Sequence, residues 1–347
     1  MLKRIFIFCL VFLSGLSNVS ALDANSISAD CAVLINADNN EIIFSKNHLK
    51  RRSMASTTKI MTSLIALESG KLQSEITVTD DMLRVEGTSM GLKGGDSVSL
   101  LELVYGMMLS SGNDSANATA IFLGGNLEAF AEKMNEYAYN IGMTGTNFVT
   151  PSGLDNEMHY STAYDMALLG AKAIKNPLFL SICSDNKETL TFGNPPYERT
   201  LYNHNKLLNN YEFALGIKTG FTKKSGRCLV SYAQDNSKRL VAVTLNAPDD
   251  WNDHMKMLDY GFGELDCYSL TAPIPDSIPV TGRSGTVKLT TESFEIASSE
   301  PVNITSKIYI EKFLYSPVKA DTVVGFCNYY VNGDLSGTKP ILIATDS

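Results

Sequence analysis

The chain has 347 residues, 44% of them hydrophobic and 19% charged, with a formal net charge of -8. That length allows about two domains with cores of their own. An acidic chain without a polybasic run is a poor match for nucleic acid or for anionic lipid, both of which select clustered Lys and Arg.

Met1 to Ala21 reads as a secretory leader. Lys3 and Arg4 form a basic start, Ile5 to Leu13 an apolar core, and Val19-Ser20-Ala21 a small-residue cleavage site. The apolar core is shorter than the roughly 20 residues of a spanning helix, so removal and export are expected. Losing Lys3 and Arg4 would make the mature chain more acidic still. It would keep Cys31, Cys183, Cys228, Cys267 and Cys327, an odd and scattered set without metal-type spacing. Most of these read as buried small apolar residues, with a disulfide after export left open. No metal and no cofactor is expected.

Ala32 to Ile35 and Glu41 to Phe44 flank Asn36 to Asn40 as a strand pair. Met54 to Leu67 is an amphipathic helical stretch. Helical spacing returns over Leu100 to Leu109, Asp114 to Leu123 and Leu127 to Ile141. Phe213 to Ile217, Arg227 to Tyr232 and Val241 to Leu245 have strand length and composition, and Asn252 to Phe262 reads as a closing helix. Strands at both ends with helices between predict one α/β layered domain. The character changes over Leu265 to Leu270, and the Pro-rich Ala272 to Pro279 reads as a linker. Short strands are expected over Thr286 to Thr290, Lys307 to Phe313, Val323 to Tyr330 and Pro340 to Ala344. They predict a small all-β domain of about 75 residues. The divisions expected are a leader at 1–21, a catalytic domain at 22–265 and a β-rich domain at 266–347.

Three short motifs fall along this frame: Ser56-Thr57-Thr58-Lys59, Ser111-Gly112-Asn113 and Lys218-Thr219-Gly220. Each has decoys. Ser-x-x-Lys recurs at Ser184/Lys187, Ser316/Lys319 and Ser336/Lys339; Ser184-Asp185-Asn186 imitates the second motif and Lys224-Ser225-Gly226 the third. Context separates them. Ser56 and Lys59 share one face at a helix start, one turn apart. Lys218 continues an apolar strand, whereas Lys224 lies in a turn. Gly220 offers a strand position without a side chain, suited to close backbone approach.

The three motifs contain what serine acyl transfer requires. A serine hydroxyl needs a base to take its proton. The four His lie outside all three motifs and no Gly-x-Ser-x-Gly elbow is present. Lys59 is the better base, provided burial and a second cation such as Lys218 keep it neutral. Ser111 can relay a proton to the leaving amine, and Asn113 can bond Lys59 and the substrate amide. Lys218 and Thr219 can hold a substrate carboxylate. The backbone N–H groups of Ser56 and Phe221 can form an oxyanion hole.

At these residues the chain resembles the D-alanyl-D-alanine carboxypeptidases, low-molecular-mass penicillin-binding proteins of the serine peptidases with a Ser/Lys dyad. The resemblance runs from about Ala29 to Glu264. It includes Ser53 to Thr62, Ser110 to Ala116, Gly153-Leu154-Asp155 with His159 to Ala163, Asn203-x-Asn205-x-Leu207-Leu208, and Gly216 to Thr222. It implies the penicillin-binding-protein/β-lactamase-like transpeptidase fold, a sheet flanked by helices with a helical subdomain. It implies removal of the terminal D-alanine from peptidoglycan pentapeptide stems through an acyl-enzyme on Ser56, with β-lactams acylating the same serine. Ser56, Lys59, Ser111 and Asn113 would be catalytic; Lys218, Thr219, Gly220 and Phe221 would bind substrate. An exported chain fits this work, in the cell wall or at the outer face of the cytoplasmic membrane.

Two positions depart from familiar members: His204 stands where some relatives carry Arg, and Phe221 where some carry His. Relatives often end in an amphipathic membrane-anchoring helix; none is evident before Thr345-Asp346-Ser347. A β-lactamase is the nearest rival, but its Glu-x-x-Leu-Asn segment is here Asn205-Lys206-Leu207-Leu208-Asn209. The motifs are equally compatible with a D,D-endopeptidase on the same site, and the fold with a catalytically silent wall-binding relative.

Overall fold

The computed structural model describes residues 21–282 and 285–344. Nearly all of the expected leader, residues 1–20, and the last three residues lie outside that range. The contacts divide the described chain between Gly263 and Glu264 into two units.

In the first unit the elements run in chain order. They are β1 (Cys31–Asn36), β2 (Ile42–Lys46), α1 (Lys59–Glu68), β3 (Glu75–Thr77), α2 (Asp80–Leu83), β4 (Ser97–Ser99) and α3 (Leu100–Met108). Then come α4 (Asn113–Gly124), α5 (Leu127–Asn140), α6 (Ala163–Ala173), α7 (Pro177–Ser184), β5 (Lys187–Gly193), β6 (Pro196–Tyr202) and α8 (Leu207–Asn210). The unit closes with β7 (Ala214–Thr222), β8 (Gly226–Asp235), β9 (Lys238–Leu245) and α9 (Asp250–Glu264).

Five strands form one antiparallel sheet in the order β2-β1-β9-β8-β7. β1 and β9 are buried along almost their whole length, as a sheet covered on both faces requires. One face carries α6, whose Gly170 lies against Val241, Val230 and Ile217. The other carries α9, whose Gly261 lies against Leu34 and Leu240. Glycine at both places lets helix and sheet approach closely. α1 runs through the middle of the main core, fully buried at Ile60, Met61 and Leu64. α3 starts at a capping box, Ser99 with Glu102, and α5 and α6 start at Asn126 and Thr162 side-chain caps. The first two caps set where the helices expected over Leu100 to Leu109 and Leu127 to Ile141 begin.

The second unit is all β: β10 (Asp266–Leu270), β11 (Ser277–Thr281), β12 (Thr286–Thr291), β13 (Phe294–Ser298), β14 (Ile304–Ile310), β15 (Leu314–Tyr315), β16 (Val323–Val331) and β17 (Asp334–Ile343). Six strands pair in the order β14-β16-β17-β12-β11-β15, and β10 pairs with β13. Tyr329 and Ile341 are completely buried in its core. The stretch Ala272 to Pro279 is therefore not a plain linker. Its end is strand β11, where Ile278 and Val280 point inward and Pro279 outward. Alternation, not composition, decides that segment. The strand expected over Lys307 to Phe313 also starts and ends earlier, at Ile304–Ile310. The architecture is α/β, a helix-flanked sheet with a helical part, followed by an all-β region.

Candidate active site

A cleft of about 410 Å³ in the first unit is lined by Ser56, Ser111, Asn113, Thr219, Gly220 and Phe221. Six of the eight expected residues thus face one space. The other two, Lys59 and Lys218, lie beneath its surface at 0% and 2% exposure.

Ser56 sits in a short 3-10 turn, Ala55–Thr58, that leads directly into α1. Ala55 holds φ 48, in the left-handed region that a side chain rarely occupies. The turn is fixed around it: Thr57 Oγ1 donates to the Met54 carbonyl at 2.6 Å and Thr58 Oγ1 to the Ala55 carbonyl at 2.8 Å. Gly153, itself at φ 86, packs so close to the Ala55 carbonyl that a Cβ there would collide with it.

One turn on, Lys59 Nζ lies 2.8 Å from Ser56 Oγ, 2.7 Å from Asn113 Oδ1 and 2.8 Å from the Ser152 carbonyl. Burial first, then the nearby Lys218 charge, hold its pKa well below the usual lysine value, against a smaller opposing effect of Asp114. A neutral amine has two N–H donors and one lone pair. Asn113 Oδ1 and the Ser152 carbonyl accept both donors, which leaves the lone pair for the Ser56 hydroxyl. The lowered pKa favours that neutral form, and the two acceptors orient the amine toward Ser56 Oγ.

Ser111 is at φ 58, and its carbonyl accepts from Thr88 Oγ1 at 2.5 Å. Asn113 N donates to the Thr88 carbonyl at 2.7 Å and Asn113 Nδ2 to the Glu86 carbonyl at 2.6 Å. The Glu86–Leu92 loop is tied in turn by Asp114. Its carboxylate accepts from Met90 N, Gly91 N, Leu92 N and Ser89 Oγ at 2.6–3.1 Å. Asp114 lies in the first turn of α4, where a carboxylate also complements the helix dipole.

The third motif lies on β7, the outer strand of the sheet. A Cβ on Gly220 would sit 3.0 Å from Ser56 N and 3.1 Å from Thr57 N, so only glycine leaves that strand against the Ser56 turn without a shift. The unpaired side of an edge strand can also receive an extended peptide as an added strand. Lys218 Nζ donates to the Thr219 carbonyl at 3.0 Å, and burial lowers its pKa to about 7.

Two of the histidines, His159 and His204, adjoin the site. His159 Nδ1 accepts from Val149 N at 2.9 Å, which places its proton on Nε2, 2.8 Å from Thr58 Oγ1. Burial pushes it down to about 4. His254 lies between Ser231 and Thr244. Burial, then Lys218, lower the pKa of His204, which lines the cleft. The decoys fall elsewhere. Ser184 donates to the Leu180 and Leu215 carbonyls, and Ser316 and Ser336 belong to the second unit. Asn205 Oδ1 accepts from Leu207 N at the start of α8, a turn role and not a base's.

Sequence reasoning missed Asp114 as the loop's anchor, the Glu86–Leu92 wall, His159 beneath the 3-10 turn, and Arg227, Asp250 and Trp251, which also line the cleft. Asp114 stands beside the second motif, which was the one local signal. The others come from segments far apart in the chain. Cys31, Cys183, Cys228 and Cys327 are buried free thiols. Among the described residues no group of three or more His, Cys, Asp or Glu is placed to hold a metal ion.

The profile of peptidase family S11, described as D-alanyl-D-alanine carboxypeptidase, matches residues 18–249. The D-alanyl-D-alanine carboxypeptidase DacF of Bacillus subtilis is 32% identical over 80% of this chain and 72% of its own length. DacC of Escherichia coli is 31% identical over 93% and 85%. Among solved structures, the Streptomyces K15 DD-transpeptidase superposes with a TM-score of 0.65 at 30% identity, over 68% of this chain and 98% of its own. A penicillin-binding protein homologue from Mycobacterium tuberculosis reaches 0.66 at 28% identity, over 71% and 94%. The chain belongs to the D-alanyl-D-alanine carboxypeptidase family of serine peptidases, enzymes of the penicillin-binding-protein group that act on peptidoglycan.

Proposed function

We propose that the cleft removes the terminal D-alanine of peptidoglycan stem pentapeptides through an ester on Ser56, and that the chain does so outside the cytoplasm, at the wall or the outer membrane face. The placement rests on the leader-like residues 1–21 and on the wall polymer as substrate. The observation that carries the chemistry is Lys59 Nζ, buried and held by two carbonyl acceptors with Ser56 Oγ at 2.8 Å.

Ser56 Oγ attacks the carbonyl carbon of the penultimate D-alanine while its proton passes to Lys59 Nζ. The developing oxyanion meets the N–H groups of Ser56 and Phe221 at the cleft. The C–N bond breaks, and the proton returns through Lys59 and Ser111 to the departing amine of the terminal D-alanine. Water then attacks the ester carbonyl, losing its proton to Lys59, and Ser56 recovers a proton as the tetrapeptide acid leaves. Thr219 and Gly220 on the edge strand align the peptide. A β-lactam, an acylating analogue of the D-Ala-D-Ala unit, would enter the same ester. Asn205 supplies no carboxylate for rapid hydrolysis of that ester, which favours a lasting penicilloyl adduct over β-lactamase turnover.

The test is D-alanine release from diacetyl-Lys-D-Ala-D-Ala. The wild-type chain is expected to release it, and Ser56→Ala to lose at least about 10³-fold in rate while keeping its fold. Full release by Ser56→Ala would refute the assignment.

A further inference from the structure

The proposed chemistry needs two backbone N–H groups, those of Ser56 and Phe221, held at a fixed spacing. They belong to segments far apart in the chain, the Ala55–Thr58 turn and strand β7. Gly220 lets the two segments touch, but among the described residues no backbone hydrogen bond joins them. Asp155 does join them. Its Oδ1 accepts from Thr222 Oγ1 at 2.9 Å and, more loosely, from Ser53 Oγ at 3.4 Å. Thr222 follows Phe221 directly, and Ser53 lies three residues before Ser56.

We propose that Asp155 is a positioning residue for the oxyanion hole: its carboxylate sets the gap between the Ser56 turn and the end of β7, and with it the spacing of the two N–H donors; this rests on the acyl-transfer reading above. The strand needs such a tie. β7 is the outer strand of its sheet, bonded to β8 on one side. Its other side is open to a peptide, so side chains must hold it there. At its start the Leu215 carbonyl accepts from Ser184 Oγ at 2.7 Å. At its end Thr222 Oγ1 accepts from Ser225 N at 2.9 Å, and Thr222 N donates to Ser225 Oγ at 3.0 Å. Those two bonds close the β7–β8 turn on itself. It is the bond from Thr222 Oγ1 to Asp155 that crosses to the opposite wall of the cleft, where Ser152, Gly153 and Leu154 stand.

That wall is firmly fixed. The Pro151 carbonyl accepts from Thr62 Oγ1 of α1 at 2.7 Å, and the Ser152 carbonyl from Lys59 Nζ at 2.8 Å. Gly153 packs against the Ala55 carbonyl. The run from Pro151 to Asp155 thus meets α1, Lys59, the Ser56 turn and β7 in succession, and one backbone sets the position of all four. A carboxylate is the right last member, since a hydroxyl bond to a charged acceptor is stronger than one to a neutral acceptor. Asp155 is exposed at the rim, so truncating it leaves no buried group unpaired and costs the fold little.

The test is steady-state D-alanine release from diacetyl-Lys-D-Ala-D-Ala by the full chain. Asp155→Ala is expected to lower kcat about 10-fold, less than the loss of a whole oxyanion donor, and to change KM less than about 2-fold. Asp155→Asn keeps an acceptor oxygen in place and should recover most of that loss. Thr222→Val should match Asp155→Ala, and the double variant should be no slower than either single one, because both remove the same tie. The penicilloyl ester carries a direct signature in infrared difference spectra. Hydrogen bonds from the hole lower the ester carbonyl frequency, so Asp155→Ala should raise or split that band. An unchanged kcat in Asp155→Ala, a loss expressed in KM, an Asp155→Asn as slow as Asp155→Ala, additive losses in the double variant or an unmoved ester band would each overturn the proposal. If Asp155→Ala does not fold by circular dichroism, Thr222→Val decides by the same kcat and infrared criteria. Absence of any penicilloyl adduct on the wild-type protein would instead strike the acyl-enzyme reading itself.

Discussion

The two units of this chain bury very different things. In the first, polar and ionisable groups lie among the deepest residues: Lys59, Asn113, Asp114, His159 and Lys218 are each 4% exposed or less. Among the described residues of the second, the buried polar side chains are Ser298 and Ser306. Its strand β11 alternates, with Ile278 and Val280 inward and Pro279 and Thr281 outward. Burying a charge is costly unless it is neutralised or fully bonded. The first unit bears that cost in a connected network around Ser56, which is where chemistry is to be sought. The second buries chiefly apolar side chains.

If that contrast is right, Lys59→Met should show it most strongly. An unbranched apolar side chain fills the same buried space, so the melting temperature should be unchanged or higher while Ser56 acylation falls at least about 10³-fold. Loss of stability with retained acylation would erase the distinction. Gly220→Val comes next. Its Cβ would press on Ser56 N and Thr57 N, and D-alanine release should fall about 10²-fold through misplacement of the nucleophile. Stopped-flow or discontinuous amino-acid assays check both.

A smaller effect lies in the pH profile. Lys59 must be unprotonated to act, so acylation should weaken as pH falls through its lowered pKa. Lys218 helps to hold that value down, and Lys218→Gln should move this limb of the profile to higher pH. A limb that stays in place would separate the two lysines. The smallest effect on activity belongs to the second unit. Tyr329 is completely buried, stacks on Phe294 with ring centroids 5.1 Å apart, and accepts from Ala272 N. Tyr329→Ala should cost about 3 kcal/mol in that unit, read by calorimetry, and change turnover of a soluble peptide less than about 2-fold.

The reach of the sequence follows from the same contrast. Ser56 with Lys59 was legible because one helical turn brings i and i+3 together, whatever the rest of the fold does. α3, α4 and α5 were legible from period, and the strands of the main sheet from their length and apolar composition. The hairpin of β5 and β6 was not, because its inward repeat is brief, Leu190 and Phe192 between exposed Thr189 and Thr191, and most of β6 is exposed. β3 and β4 are three residues each, too short for a period. Pro273, Pro275 and Pro279 hid the inward Ile278 and Val280 of β11. Asp114, His159 and Arg227 were silent for a different reason. Their roles depend on partners 22–25, 101 and 23 positions away in the chain, and no local pattern announces such a pairing. The separation of Lys218 from the cleft surface was equally invisible, because a motif states neighbours in sequence and not depth.

Acylation of Ser56 is the step on which the proposed chemistry depends. Incubation of the full chain with benzylpenicillin, followed by proteolysis and mass mapping, locates the acylated residue. One penicilloyl group is expected, carried by the peptide that contains Ser56 and absent from Ser56→Ala. A penicilloyl group on any other residue, or none on folded wild-type protein, would contradict it.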